Sequence, residues 1–168
     1  DRHHQDLVDE LIAAVEAYNP GVDKELLARA FHFAATAHEG QTRSSGEPFV
    51  HHPWAVAKIC AELHLDEQSL AAALLHDVVE DSEVTLDDLR AEGFSAEVVN
   101  AIDHVTRREG EPYEAFIERI APHPLARRVK LPDLEDNMDM TRLVVFDERG
   151  AERMQRYLRS WQRLRAAE

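Results

Sequence analysis

The chain has 168 residues, enough for one domain with a substantial core and no need of covalent staples. Hydrophobic residues make up 44% and charged residues 31%, an ordinary globular balance. A formal net charge of −14 argues against nucleic-acid and membrane partners, which need a basic face, but leaves room for a small anion held by a few local bases.

A single cysteine, Cys60, excludes an internal disulfide framework and suits a reducing compartment. There is no run of about 18 apolar residues and no signal peptide at the start, so a cytoplasmic location is the expectation. Residues 1–5 are open to disorder, and His3 and His4 are assigned no role. Asp6–Tyr18 (DLVDELIAAVEAY) reads as an amphipathic helix closed by Asn19-Pro20-Gly21. Asp23–His38 is a second, with Leu26, Leu27, Ala30, Phe31 and Ala34 on one stripe. Glu39-Gly40 ends it, and a polar loop runs from Gln41 to Pro48. Pro53–Leu63 and Asp66–Val79 follow as helices, the first holding Cys60 in an apolar context that marks it as core. Thr85 to Asp88 has the form of a capping box, and Ser95 can cap a helix reaching about Val105. Pro112–Ala121, Pro124–Val145 and the arginine-rich Ala151–Ala166 complete the reading. Its arginines (Arg153, Arg156, Arg159, Arg163, Arg165) are expected to pair within the same fold. With no repeat or linker, the expectation is one all-α domain over residues 1–168.

The chemistry gathers where apolar segments end. Ser69–Val79 (SLAAALLHDVV) is too apolar to face water, yet it runs into His76, Asp77, Glu80 and Asp81. At helical spacing His76/Glu80 and Asp77/Asp81 are i,i+4 pairs. Three carboxylates and an imidazole beside a core are costly without a cation, and a divalent metal supplies one. His52 precedes Pro53, a residue favoured in the first helical turn, which sets the imidazole at a helix start. Asp133 and Asn137 are another i,i+4 pair with apolar flanks. Taken singly each has a bland reading, a hydrogen-bonded core histidine or a surface carboxylate; the set carries the inference. His52, His76, Asp77 and Asp133 make a mixed nitrogen and oxygen shell suited to manganese, iron or zinc, not to a thiolate structural site. Such a cation acidifies water near neutral pH. Glu80 and Asp81, one turn further on, can orient that water or carry its proton, and their crowding should split their pKa values. Arg43, on a Ser- and Gly-containing loop, is the candidate base for a phosphate. Arg127, Arg128 and Lys130 are left outside the site. His38, at a helix end, is read as structural, its imidazolium suiting the dipole; His51 neighbours the ligand His52.

Three stretches, AHEGQTRSSGEPFVHHP, ALLHDVVED and VKLPDLEDN, resemble the HD-domain hydrolases of the RelA/SpoT type. The first matches as a whole loop, and the likeness runs from about His38 to Asn137. The resemblance implies a single HD-domain helical bundle with a central metal site, its core match about residues 23–147. It assigns His52, His76, Asp77 and Asp133 as ligands, usually of Mn2+, and Glu80 and Asp81 as the catalytic acidic pair. It sets Arg43 and Ser45 beside a purine nucleotide, the arginine plane against the base, with Asn137 at the sugar–phosphate. The reaction implied is removal of the 3′-pyrophosphate of (p)ppGpp to give GDP or GTP. No nucleotide-synthetase segment follows in these residues, which implies a stand-alone small alarmone hydrolase; a homo-oligomer is left open.

The chain departs from the family pattern in several places. Pro132 stands where a small residue is common, so either a helix begins there or the ligand's helix bends. Asp139 stands where a basic residue is common, and would repel a polyphosphate unless Arg142 or another base replaces the missing charge. The segment TRREGEP (Thr106–Pro112), with Arg107 and Arg108, matches poorly, and Phe49 replaces a tyrosine. Asp139 favours a rival hydrolase of another nucleotide, a nucleoside monophosphate or a phosphorylated dinucleotide cofactor. A third reading is a catalytically silent nucleotide-binding regulatory module, against which the Glu80-Asp81 pair speaks.

Overall fold

Short polar side chains start most of the helices, because the first N–H groups of a helix have no partner within it. In the computed structural model, which describes residues 1–168, Asp1 caps α1 (Arg2–Glu16), Asp23 caps α2 (Lys24–Ala37) and Asp66 caps α4 (Glu67–Leu75). Thr85 and Asp88 close the expected reciprocal capping box on α6 (Leu86–Ala91), and Ser95 caps α7 (Ala96–Val105). The others are α3 (His51–Glu62), the single turn α5 (Val78–Asp81), α8 (Tyr113–Ile120), α9 (Pro124–Asn137) and α10 (Glu148–Ala166), with a 3-10 turn at Met140–Arg142. There is no strand, only an isolated bridge between Thr42 and Pro48, so the chain is all-α. No helix is long and apolar enough to cross a membrane.

Helix α4 is the axis of the packing. Every residue from Ser69 to Leu75 is buried, and the helix touches α2, α3, α7 and α9. Phe31, Leu27, Val56, Leu70, Leu74 and Ile102 meet around it in the larger core cluster, together with the fully buried Cys60. A smaller cluster joins α8, α9 and α10 through Phe116, Ile120, Leu134 and Leu164. Half-buried tryptophans tie the layers: Trp54 Nε1 donates to the Leu7 carbonyl (2.9 Å) and Trp161 Nε1 to Glu135 (3.0 Å). Of the five α10 arginines expected to pair within the fold, Arg163 does so with Glu118 (2.7 Å) and Arg165 only with the neighbouring Glu168 (3.7 Å), while Arg153, Arg156 and Arg159 make no ion pair.

Four boundaries differ from the sequence reading, each for a local reason. The Asp1 cap starts α1 at Arg2, so residues 2–5 are helical. Helix α3 opens at His51, placing His52 inside its first turn. The apolar run does not continue to Val79: the backbone turns at His76 and Asp77 (Asp77 φ −101°, ψ −5°) before α5 resumes. Helix α9 stops at Asn137 because Asp139 caps the 3-10 turn, leaving Val144, Val145 and Phe146 exposed beyond it. Pro132 is inside α9, not at its start. Its ring removes one backbone hydrogen bond, at a typical cost of about 3 kcal/mol, and the turn around it is held by the burial of Leu131, Pro132 and Leu134.

With α4 as the axis, Leu74→Ala should lower the unfolding free energy by about 2–5 kcal/mol. Chemical denaturation at fixed metal concentration measures this, and the exposed Leu158→Ala should stay within about 0.5 kcal/mol of the parent.

Candidate metal centre

Three helices bring four polar side chains to the same point. His52 comes from the first turn of α3, His76 and Asp77 from the break after α4, and Asp133 from the middle of α9. His52 Nε2 lies 2.8 Å from Asp133 Oδ1 and 3.5 Å from Asp77 Oδ2. His76 Nε2 lies 3.1 Å from Asp77 Oδ2 and 3.2 Å from Asp133 Oδ1. Ligands about 2.0–2.2 Å from a metal stand roughly 3.0–3.4 Å from one another when adjacent, so these gaps have the spacing of a coordination shell. The compact core of the set is His52, His76 and Asp77. His76 Nδ1 is 2.6 Å from the Ala73 carbonyl, which only accepts; Nδ1 therefore carries the hydrogen and Nε2 keeps its lone pair for the centre. The donor set, two imidazoles and two carboxylates at 3–4% exposure for His52, His76 and Asp133, fits a divalent cation.

The electrostatics say what the cation replaces. Burial works against charge on His76, yet the carboxylates of Asp77 and Asp133 outweigh it and hold the imidazole well above its usual pKa. Burial opposes charge on His52 too, and its hydrogen bonds to Asp133 and Asp136 raise it. Burial would also push Asp133 up, but Lys130 and His76 bring it well below the carboxylate range. Without metal, protons on the imidazoles supply the positive charge that the buried carboxylates demand.

Lys130, left outside the site on sequence, belongs beside it. Its ammonium is 2.8 Å from Asp133 Oδ2, so one oxygen is held while Oδ1 faces the imidazoles. One turn along α9, Asn137 Nδ2 donates to Asp133 Oδ1 (3.2 Å). The centre floors a cleft of about 490 Å³, lined on one side by Glu80 and Asp81 and on another by Thr42, Arg43 and Ser44. Burial, then Asp77, raises the Glu80 carboxyl, whose Oε2 accepts the Arg107 N–H at 3.4 Å. Burial, then Asp77 and Glu80, pushes Asp81 up to about 6. Gln41 ties the loop to this wall by donating to the Asp81 carbonyl (2.7 Å).

The loop is a tight turn. Arg43 N donates to the Glu47 carbonyl and Gly46 N to the Arg43 carbonyl, with Gly46 at φ +91°, a conformation that favours glycine. Arg43 is no solvated loop arginine: its side chain is 14% exposed and NH1 donates to Asp136 Oδ2 at 3.0 Å. Ser44, not Ser45, lines the cleft; the Ser45 hydroxyl is buried without a partner. His38 sits at the end of α2, but burial lowers its pKa, so it is a neutral ring with Nδ1 3.2 Å from Gln41 Oε1 and not the imidazolium expected there. His51 turns away from the cleft, with Nε2 3.0 Å from that of His3.

Sequence reasoning missed residues brought in from distant segments. Arg119 grips Glu111 through both carboxylate oxygens (3.0 Å each) and the carbonyls of His104 and Thr106. That folds the TRREGEP segment so that Arg107 reaches the cleft, while Arg108 pairs with Asp103 outside it. From α10, Arg156 joins the same wall. Both guanidiniums lie over the Tyr113 ring, at 5.5 Å for Arg107 and 4.5 Å for Arg156. The Tyr113 hydroxyl and Arg156 Nε are buried without partners. Asp136, one turn past Asp133, is the remaining omission. Its only sequence signal was the i,i+3 spacing from the ligand.

The raised imidazole pKa values contribute stability that is full below about pH 6.5 and is lost as pH rises through their higher folded-state values. The depressed Asp133 contributes stability that is present above about pH 4 and lost on acidification. Metal-free protein should therefore melt at progressively lower temperature as pH rises from about 6.5, and saturating divalent metal should flatten that fall. Calorimetry with and without a chelator checks this; a metal-free melting temperature that climbs over the same range contradicts it.

Comparison with known proteins follows the same lines. A profile of the HD-domain family matches residues 30–129. A guanosine-3′,5′-bis(diphosphate) 3′-pyrophosphohydrolase of Vibrio cholerae is 48% identical over 101 residues, covering 60% of this chain and 14% of that protein. A probable GTP pyrophosphokinase of Mycobacterium leprae is 37% identical over 147 residues, covering 82% of this chain and 19% of that protein. The chain thus spans less than a fifth of the length of these two relatives. Among solved structures, a metazoan ortholog of SpoT that hydrolyses ppGpp superposes with a TM-score of 0.72 at 25% identity, over 85% of this chain and 87% of its own. With the profile covering more than half of its residues and its buried histidines and aspartates gathered at one centre, the chain belongs to the HD-domain family.

Proposed function

We propose that residues 1–168 act as a single HD phosphohydrolase domain that removes the 3′-pyrophosphate of (p)ppGpp, giving GDP or GTP and pyrophosphate, with manganese as the working metal. The observation that carries this reading is the convergence of the four donors beneath a cleft lined by both paired carboxylates and arginines. The relatives named for this hydrolysis support the choice of substrate.

His52, His76, Asp77 and Asp133 would hold the cation, which when bound acidifies water and neutralises phosphate charge. The chain's own groups do the rest. Glu80 and Asp81 line the cleft beside the ligands, and in the metal-free protein burial and the Asp77 charge raise both, Asp81 to about 6, so this pair is the proton acceptor the cleft offers. Water adds its oxygen to the phosphorus attached to the 3′-oxygen, and one of its protons passes to this pair. The bond from that phosphorus to the 3′-oxygen breaks, and the 3′-oxygen leaves as a hydroxyl on taking up a proton. Arg43, braced by Asp136 and by Asn137 Oδ1 (3.5 Å), presents its guanidinium toward the cleft for a purine face, with Ser45 in the turn that shapes the loop. Lys130, Arg107 and Arg156 supply positive charge to a second phosphate group in a protein that is otherwise acidic.

Asp139 no longer favours the rival substrates. Arg142 lies 3.1 Å from its carboxylate and 3.2 Å from Asp136, so the acidic residue carries its own counter-charge. A silent binding module would have no use for two adjoining carboxyls on the cleft wall beside the metal ligands.

Incubation of manganese-loaded protein with ppGpp should release GDP and pyrophosphate in equal amounts, and His76→Ala should release neither. Turnover of a nucleoside monophosphate or a phosphorylated dinucleotide with none of ppGpp would overturn the substrate. Glu80→Gln should keep its manganese while losing about 10²–10⁴-fold in kcat, the usual worth of proton transfer; Asp77→Ala should lose metal and activity together. Wild-type turnover in Glu80→Gln would remove that residue from the acidic pair's role.

A further inference from the structure

The His52 imidazole is gripped from both sides by one helix. Asp133 faces Nε2 at 2.8 Å, and Asp136, on the same face of α9, faces Nδ1 at 2.6 Å. The Asp136 carboxylate is 6% exposed and fully engaged. Its Oδ2 takes both the His52 Nδ1–H and Arg43 NH1 (3.0 Å), and its Oδ1 takes Arg142 NH1 (3.2 Å). Arg142 NH2 closes the arrangement on the Asp136 carbonyl at 2.6 Å.

We infer that Asp136 is a positioning residue for two sites at once: one carboxylate aims His52 at the metal and braces Arg43 for the ligand in the cleft. The first half follows from tautomers. A carboxylate facing Nδ1 keeps the hydrogen there and leaves the Nε2 lone pair for the cation; such outer carboxylates also fix ring orientation and raise ligand basicity. The second half follows from geometry. Arg43 rises from a loop, where its long side chain would sample many rotamers. Bonds to Asp136 and Asn137 along one edge hold the guanidinium plane in one orientation. That half rests on the nucleotide reading proposed above; the metal half does not. Because the two share Oδ2, loss of one carboxylate should weaken both metal and nucleotide binding, although Asp136 touches neither.

Asp136→Asn is nearly isosteric, and its manganese affinity, read from free Mn2+ by electron paramagnetic resonance, should fall about 10–100-fold. Asp136→Glu restores the charge and should recover part of that loss. Guanosine, which has no phosphate for the metal to ligate, reports on the base-binding side of the cleft, where Arg43 stands. Its affinity for manganese-loaded protein should drop in Asp136→Asn and in Arg43→Met, and the double variant should be no weaker than Arg43→Met. Manganese affinity within twofold of wild type in folded Asp136→Asn overturns the metal half, and simple additivity in the double variant overturns the coupling. If wild-type protein binds no guanosine, the substrate reading fails, while the manganese arm still decides the role of Asp136. Should Asp136→Asn not fold, nitrogen-15 spectra of zinc-loaded wild-type protein decide the metal half. A His52 ring protonated at Nδ1 upholds the inference, and one protonated at Nε2 overturns it.

Discussion

A carboxylate buried between two imidazoles organises this molecule. Asp133 projects from α9 into the seam between α3 and the end of α4, where burial alone would force it to take up a proton. Lys130, His52 and His76 hold it ionised instead, each by a short contact. A buried charge without partners costs several kcal/mol, so the partners and the helices that carry them are constrained together. The apolar α4 meets that demand by ending where it does. Its last turn is hydrophobic on every side, and the chain then turns so that His76 and Asp77 face the centre and not the core.

Above this centre the protein reverses its own electrostatic character. An acidic chain gathers Arg43, Arg107, Lys130 and Arg156 around one cleft, and they arrive from a loop, an irregular segment, α9 and α10. Side-chain ties keep them there: Asp136 on Arg43, the Arg119–Glu111 grip beneath Arg107, and the Tyr113 ring under Arg107 and Arg156. A few placed cations set the local potential of the cleft, so the overall charge of the chain is a poor guide to it. The carboxyl pair in the same cleft shows the converse effect. Burial and then the Asp77 charge raise both Glu80 and Asp81, Asp81 to about 6.

Much of this was legible in the amino-acid order. The helical periods, the Thr85 and Ser95 caps, the buried character of α4 and the Asp133/Asn137 contact follow from near-neighbour spacing; that His52, His76, Asp77 and Asp133 belong together came from their donor types and the family resemblance, not from spacing. These features depend on residues within about one or two helical turns, the range over which sequence pattern and local geometry are linked. Helix ends were less legible where a cap competed with an apolar run, as at Asp139, or where a proline stood inside a helix, as at Pro132. The neutral state of His38 was hidden as well, because its burial comes from packing and its position alone suggested a charged cap.

What only the tertiary structure decided is which long-range pairs form. Nothing within a helical turn of Asp136 announces that it will bind His52, 84 residues earlier, or Arg43, 93 residues earlier. Sequence position sets Lys130 outside the site and gives Arg156 only a pairing role; the packing of α9 and α10 brings both to the cleft, and Arg142 folds onto Asp139. The amino-acid order determined the helices, their buried faces and the residue types able to hold a divalent cation, because each is set by local backbone and burial preferences. The packing of α3, α4, α9 and α10 determined the partners, because a charge finds its counter-charge by proximity in space, which the spacing of residues along the chain does not encode.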